Sequence, residues 1–165
     1  MAVEESILNK ESIKKIMIEQ YGVSVEAIKK INRGSANVFE IFSSGQWRVN
    51  NYYTDCNWNN LAYKPGKPVF TTESDLKKVN SYTVIFEKDG TMSGQIDGGT
   101  FSAKWNADAK DRSFSITDIK ATISLSGRNA EFINRLKNVR YYQGDSKTMQ
   151  LAPQDKTTYI QFNHR

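Results

Sequence analysis

FEKDGTMSGQIDGGTFSAKW, residues 86–105, is the stretch on which the reading of this chain turns. Its glycines admit two accounts, a loop that cradles a ligand or a chain that reverses direction twice. The flanks favour reversal. Tyr82-Thr83-Val84-Ile85-Phe86 is a β-branched and aromatic run, and Asp89-Gly90 is a hairpin pair suited to a type I′ turn, whose two central residues both take positive φ. Thr91 to Ile96 then returns, Asp97-Gly98-Gly99 turns again, and Thr100 to Trp105 alternates so that Phe101, Ala103 and Trp105 share one face. The spacing predicts a three-stranded meander.

The same pattern extends outward from that core. Ser113 to Thr117 and Ile119 to Leu125 read as further strands, as do Val139 to Tyr142, Met149 to Leu151 and Thr158 to Phe162. Residues 129–138 (NAEFINRLKN) break it: Phe132, Ile133 and Leu136 form one helical stripe, with Asn129 as cap and Glu131 in the first turn, where the helix dipole favours an acid. Residues 54–80, with two of the three prolines and many asparagines, read as a long irregular excursion. At the other end, Ile13, Ile16, Met17 and Tyr21 predict an amphipathic helix between Asn9 as cap and Gly22 as stop. Two short strands around an Arg33-Gly34-Ser35 turn are expected between residues 23 and 45. The expected architecture is α+β: a helix and hairpin over residues 1–44, then a mostly antiparallel β domain over residues 45–165, barrel- or sandwich-like, with one inserted helix.

This order of motifs resembles the META domain family of heat-inducible and surface lipoproteins. The residues that carry the resemblance are Gly45-Gln46-Trp47, Phe86 with Asp89-Gly90, Ser93-Gly94, Phe101-Ser102 with Trp105, Ser115-Ile116 with Ile119 and Thr122, Glu131-Phe132 with Leu136, Leu151 and Phe162. Where many relatives have Gly-Cys-Asn, this chain has Asp97-Gly98-Gly99. The resemblance implies a fold and a periplasmic or surface setting, with room for a lipid anchor ahead of this chain, rather than a reaction. Residues 13–45 are similar to the opening of aminoglycoside-phosphotransferase-type kinases, which implies a nucleotide-binding fragment at Arg33 to Asn37 as a third reading. WRVNNYY, residues 47–53, supplies no lysine for ATP.

Composition bounds the function. A hydrophobic fraction of 38% and a charged fraction of 25% are those of a folded domain, and no apolar run reaches the ~20 residues of a membrane span. Residues 1–20 have no signal-peptide core, although a signal removed earlier would leave no trace, so a cytoplasmic location stays open. The formal charge of +5 comes from basic residues scattered among acids, which disfavours nucleic acid as a partner. One cysteine, Cys56, gives no disulfide and no zinc cluster. Asp89, Asp97, Asp108 and Asp111 fall at turns, and the Asn106-Ala107-Asp108 start of a calcium loop meets Lys110 where a third ligand belongs. His164 is the one histidine. The expectation is therefore no catalytic residue, no metal and no cofactor. The functional pointer is the loop NNYYTDCNWNNLAY, residues 50–63. Its Tyr52, Tyr53, Trp58 and Tyr63 supply flat apolar area and its Asn57 and Asn59 supply orienting amides, a set suited to a glycan or an extended peptide. Docking of a protein partner through the N-terminal segment is the alternative.

Overall fold

Alternation from residue 46 onward gives strands, and their pairing gives one sheet. The structure, a computed structural model, describes residues 39–164. It is a mostly antiparallel sheet of nine strands with a few short helices. The strands are β1 (Gln46–Thr54), β2 (Lys67–Pro68), β3 (Thr83–Phe86), β4 (Thr91–Ile96), β5 (Gly99–Asp108), β6 (Ser113–Ala121), β7 (Val139–Gly144), β8 (Thr148–Pro153) and β9 (Thr158–His164). Helix α1 is Glu73–Val79 and helix α2 is Gly127–Lys137. From β3 to β9 each strand pairs with the next, and β9 also pairs with β1 from Trp47↔His164 to Thr54↔Thr158, so the sheet returns on itself as a ring.

The meander lies where the alternation puts it. Met92, Gly94 and Ile96 of β4 face Phe101, Ala103, Trp105 and Ala107 of β5, all turned inward. Gly94 is required sterically, because a Cβ there would lie 2.6 Å from both Phe101 Cζ and the Thr83 carbonyl oxygen. The first turn departs from expectation in detail. A type I′ turn needs positive φ at Asp89 as well as Gly90, and only Gly90 has it, at 94°. Instead the Gly90 N–H donates to the Glu87 carbonyl and the Glu87 N–H to the Thr91 carbonyl, a three-residue loop in which the Asp89 carboxylate accepts from the Thr91 N–H at 2.9 Å. At the second turn Gly98 alone takes positive φ, 78°.

Two helical pieces close the ring's ends. Helix α2 begins at Gly127, two residues before the expected cap, and buries Phe132, Ile133 and Leu136. Phe132 meets Tyr82, Phe101 and Phe162 at centroid distances of 5.1–6.5 Å. Asn129 therefore caps no helix: its side chain accepts from the Asp97 N–H, donates to the Asp97 carbonyl and accepts from the Tyr82 hydroxyl, tying helix to meander. At the opposite end residues 39–42 are helical. This corrects the last part of the expected hairpin, because a helical turn sets Phe39 and Phe42 three residues apart on one side. Phe39 stacks on Trp105 at 4.3 Å, and Phe42 touches Trp47, Phe86, Trp105, Phe114 and Tyr142. The Trp47 indole donates to the Phe42 carbonyl at 2.9 Å. The expected helix around Ile13 to Tyr21, the Arg33-Gly34-Ser35 turn and the first strand of the hairpin lie outside the described residues.

Residues 54–80 are more ordered than expected. Trp58–Asn60 form a 3-10 turn, β2 pairs with the end of β1, and α1 is capped by Thr72, whose side chain accepts from the Asp75 N–H at 3.2 Å. Glu73 and Asp75 in its first turn and Lys77 and Lys78 in its last complement the helix dipole.

Candidate functional site

β1 carries a bulge between Val49 and Asn51, which reverses the inward and outward parity of everything after it. Tyr52 consequently points into the interior and is 0% exposed. It packs against Phe70 at 5.4 Å, and the Arg135 guanidinium lies 4.1 Å over its ring. Its hydroxyl is buried with no hydrogen-bond partner among the described residues. Burial, with Glu131 adding, pushes that hydroxyl far above the ordinary tyrosine value. Asn51, just after the inserted Asn50, uses its amide as a piece of strand: it donates to the Phe70 carbonyl at 2.8 Å and accepts from the Phe70 and Tyr52 N–H groups.

The other loop residues divide. Tyr53 is half-buried and stacks on Tyr159 at 4.9 Å and 14°, and Trp58, 9% exposed, joins Tyr159 and Ala152 in a small cluster on the outer face of the sheet. The Gln143 amide donates to the Trp58 carbonyl at 2.8 Å. Tyr159 donates its hydroxyl to the Pro65 carbonyl, and burial first, then Tyr53 and Cys56, leave that hydroxyl pushed up to about 12. Asn57 accepts from the Asn59 N–H and so builds the 3-10 turn. Asn57, Asn59 and Tyr63 face solvent, Tyr63 at 78% exposure. The structure thus brings Tyr53 and Trp58 together as a packed lid over the sheet, sends Tyr52 to the interior, and leaves Tyr63 on the outside.

A cleft that the sequence reading missed lies between α2 and the rim formed by the start of β7, the end of β8 and the start of β9. Its volume is about 560 Å³, within the ~300–1,000 Å³ of small-molecule sites. Pro153 supplies apolar surface, Val139, Leu151 and Ile160 border the space but are at most 2% exposed, and Arg135, Arg140, Asn134 and Asn138 supply polar groups. Arg135 is held on two sides. Its guanidinium sits over the Tyr52 ring and one terminal nitrogen reaches Glu131 at 3.3 Å, while its Nε is buried without a partner among the described residues. Arg140 spends one terminal nitrogen on the Lys137 and Val139 carbonyls at 3.1 and 2.8 Å, which also caps the end of α2. The Glu131–Arg135 spacing of four was legible as a helix pair. Nothing local placed Leu151 or Ile160 opposite it.

The groups with nucleophilic potential are occupied elsewhere. Burial raises the Cys56 thiol above its ordinary value, and its sulfur lies 3.6 Å from the Lys156 carbonyl. Ser44 Oγ lies 3.2 Å from His164 Nε2, yet the same hydroxyl donates to the Ile41 carbonyl at 2.6 Å. His164 sits in β9, edge-on to Trp47 at 4.9 Å. Asp108 and Asp111 each accept an N–H two residues on, from Lys110 and Ser113, as turn residues do. Among the described residues no group of three His, Cys, Asp or Glu is placed to hold a metal, and no helix is long and apolar enough to cross a membrane.

Fold and cleft define a class: a small, mostly antiparallel domain whose sheet closes on itself, with one end covered by an inserted helix. Within that class the chain belongs to the family described as Domain of unknown function (DUF4847), whose model matches residues 34–164. A crystal structure of a DUF4847 family protein from Bacteroides vulgatus is similar at 35% identity and a TM-score of 0.65, over 78% of this chain and 97% of that one. The NMR structure of a protein from Burkholderia xenovorans has a similar fold at 12% identity and a TM-score of 0.51, over 78% of this chain and 87% of that one. No curated protein matches the chain.

These findings overturn the META resemblance, since the family found over the same residues is a different one. The physical reason is that the motif positions report packing. Trp47, Phe86, Phe101, Trp105, Phe132, Leu136, Leu151 and Phe162 are core residues of the ring and its inserted helix, and Gly94 is a steric requirement. A meander with a helix before its last strands needs such residues whatever its ancestry. The kinase likeness falls as well, because the family match begins inside Arg33 to Asn37 and runs through residue 45 without a break.

Proposed function

We propose that this protein is a non-catalytic binding module that receives a small ligand in the cleft between α2 and the β7–β9 rim. The observation that carries the reading is the Arg135 guanidinium, fixed over Tyr52 at the wall of a 560 Å³ cleft with most of its donors uncommitted. Ordered polar groups converging on a concave site are what orient a ligand. The occupation of Cys56, Ser44 and the turn aspartates supports a role without covalent or acid–base chemistry. The envelope setting was implied by the META-like motifs alone and loses its support with them. Amide-detected NMR titration of the full chain with a library of small organic fragments tests the proposal. Shifts gathered on Asn134, Arg135, Asn138, Leu151 and Ile160 are expected, and a library that leaves those amides unmoved refutes it.

A second reading keeps the loop. Tyr63 at 78% and Val69 at 39% exposure stand out beside a rigidly packed Trp58, which favours contact with a peptide or protein surface over sugar stacking on the Trp58 ring. A bound peptide that protects Tyr63 and is lost on Tyr63→Ala, with the cleft amides unmoved, supports this reading.

A further inference from the structure

We infer that the cleft recognises a carboxylate on a small molecule, the carboxylate lying on Arg135, with Arg140 as the second cation of the lining. This rests on the cleft being the binding site, and it adds the ligand's chemistry. Four charged groups line the space, and they are not equally available. Of the acids, Asp155 accepts from both the N–H and the hydroxyl of Thr157 at 3.0 Å, so it is turned to its own turn. Those bonds hold its carboxyl below the usual range. Glu131 is spent on Arg135.

The cations have capacity left. A guanidinium carries five N–H donors. Arg135 uses one of them, in a single contact of 3.3 Å rather than a paired fork, and since its Nε is sealed from solvent the donors left for a ligand are on its terminal nitrogens. Arg140 uses one terminal nitrogen on backbone carbonyls. A planar carboxylate matches two parallel donors of a guanidinium, which makes the contact geometric as well as electrostatic. The contact with the Tyr52 ring restrains the guanidinium before a ligand arrives. Pro153, half-buried, then leaves an apolar edge for the rest of the molecule.

The test uses a pair of probes that differ in charge and little else, phenylacetate and phenylacetamide, with phenylphosphonate as a third anion. Binding to the full chain is read by calorimetry and by the cleft amide shifts. Phenylacetate is expected to bind about tenfold or more tightly than the amide. Arg135→Gln should erase the difference, Arg140→Gln should narrow it, and Arg135→Lys, which keeps the charge and loses the fork, should keep only part of it. Arg135 also packs on Tyr52, so a variant that loses its fold is replaced by Arg140→Gln and by the salt dependence of the wild-type difference, which should shrink as salt rises. Equal binding of acid and amide in the cleft overturns the inference and leaves the binding function standing. A phosphonate preferred over the carboxylate also overturns it. Shifts from none of the three, with fragments shifting nothing in the cleft either, remove both.

Discussion

Gly94→Ala is the substitution for which the structure gives the clearest expectation. The added Cβ would sit 2.6 Å from Phe101 Cζ and from the Thr83 carbonyl oxygen, well inside van der Waals contact. The ring could swing away only into a core already filled by Phe132, and the carbonyl belongs to the β3–β4 pairing at Thr83↔Gln95 and Val84↔Gly94. Overpacking of this kind costs about 1–3 kcal/mol, and the backbone obstacle puts this site at the upper end. Replacing glycine also removes unfolded-chain freedom, which returns about 0.4–1 kcal/mol. The steric term wins, for a net loss of about 2 kcal/mol and a fall in Tm of several degrees. Urea unfolding of Gly94→Ala alone and in a Phe101→Leu background separates the two obstacles. With the ring shortened, the cost of the alanine should drop by about 1 kcal/mol, a coupling that contacting residues show, while the part due to Thr83 persists. A loss below about 0.5 kcal/mol, or an identical loss in both backgrounds, refutes the steric account.

Other perturbations follow from the same contacts. Tyr52→Phe removes a buried hydroxyl that lacks a partner among the described residues, so stability measured in urea should rise by about 0.5–1 kcal/mol, and a loss of that size would mean that the hydroxyl is bonded. Phe42→Ala should cost about 3–4 kcal/mol because the ring meets five aromatic neighbours, and a cost under about 1 kcal/mol would place residues 39–42 outside the cooperative unit. Asp89, Asp111, Asp145 and Asp155 are held below the usual carboxylate range by N–H and O–H donors from Thr91, Ser113, Lys147, Thr148 and Thr157. Their contribution is present above the unfolded-state value of about 3.9 and is lost as pH falls through the folded values. Unfolding free energy should therefore decline below about pH 4, and a variant with asparagine at all four positions should decline less; equal slopes would remove these groups from the acid response.

Much of the architecture could be read in the chain because strand alternation is local. Phe101, Ala103 and Trp105 were expected on one face and are 2%, 6% and 4% exposed, and the Phe132, Ile133 and Leu136 stripe is buried as expected. Three features were not legible, each for its own reason. FEIF, residues 39–42, satisfies a strand's alternation and a helix's three-residue spacing equally, and only contact with Trp47 and Trp105 decides between them. Thr72, Glu73, Asp75, Lys77 and Lys78 did carry a cap and a charge order for α1, but the surrounding prolines and asparagines suggested irregular chain. Tyr52 and Tyr53 look alike in the sequence as loop residues, whereas one inserted residue, Asn50, turns Tyr52 inward. The cleft could not be found from spacing at all. Its walls are residues 131–140 and 151–160, and what brings Leu151 and Ile160 beneath α2 is the pairing of β8 with β9 and of β9 with β1.

That last pairing also sets an order of events. β1 has its long partner, β9, at the far end of the chain, with Val49 against Phe162, so contacts formed early cannot complete the circle. On a ribosome, β1 emerges before the other strands, and although β2 and β3 can join it early, the backbone groups on its β9 side wait unmatched until residue 164 is free, and the entropy of joining such distant segments makes this the slow step. A waiting strand is a template for its counterpart in another copy. Crowded synthesis would thus favour exchange of β9 between neighbours, an outcome that dilution should suppress.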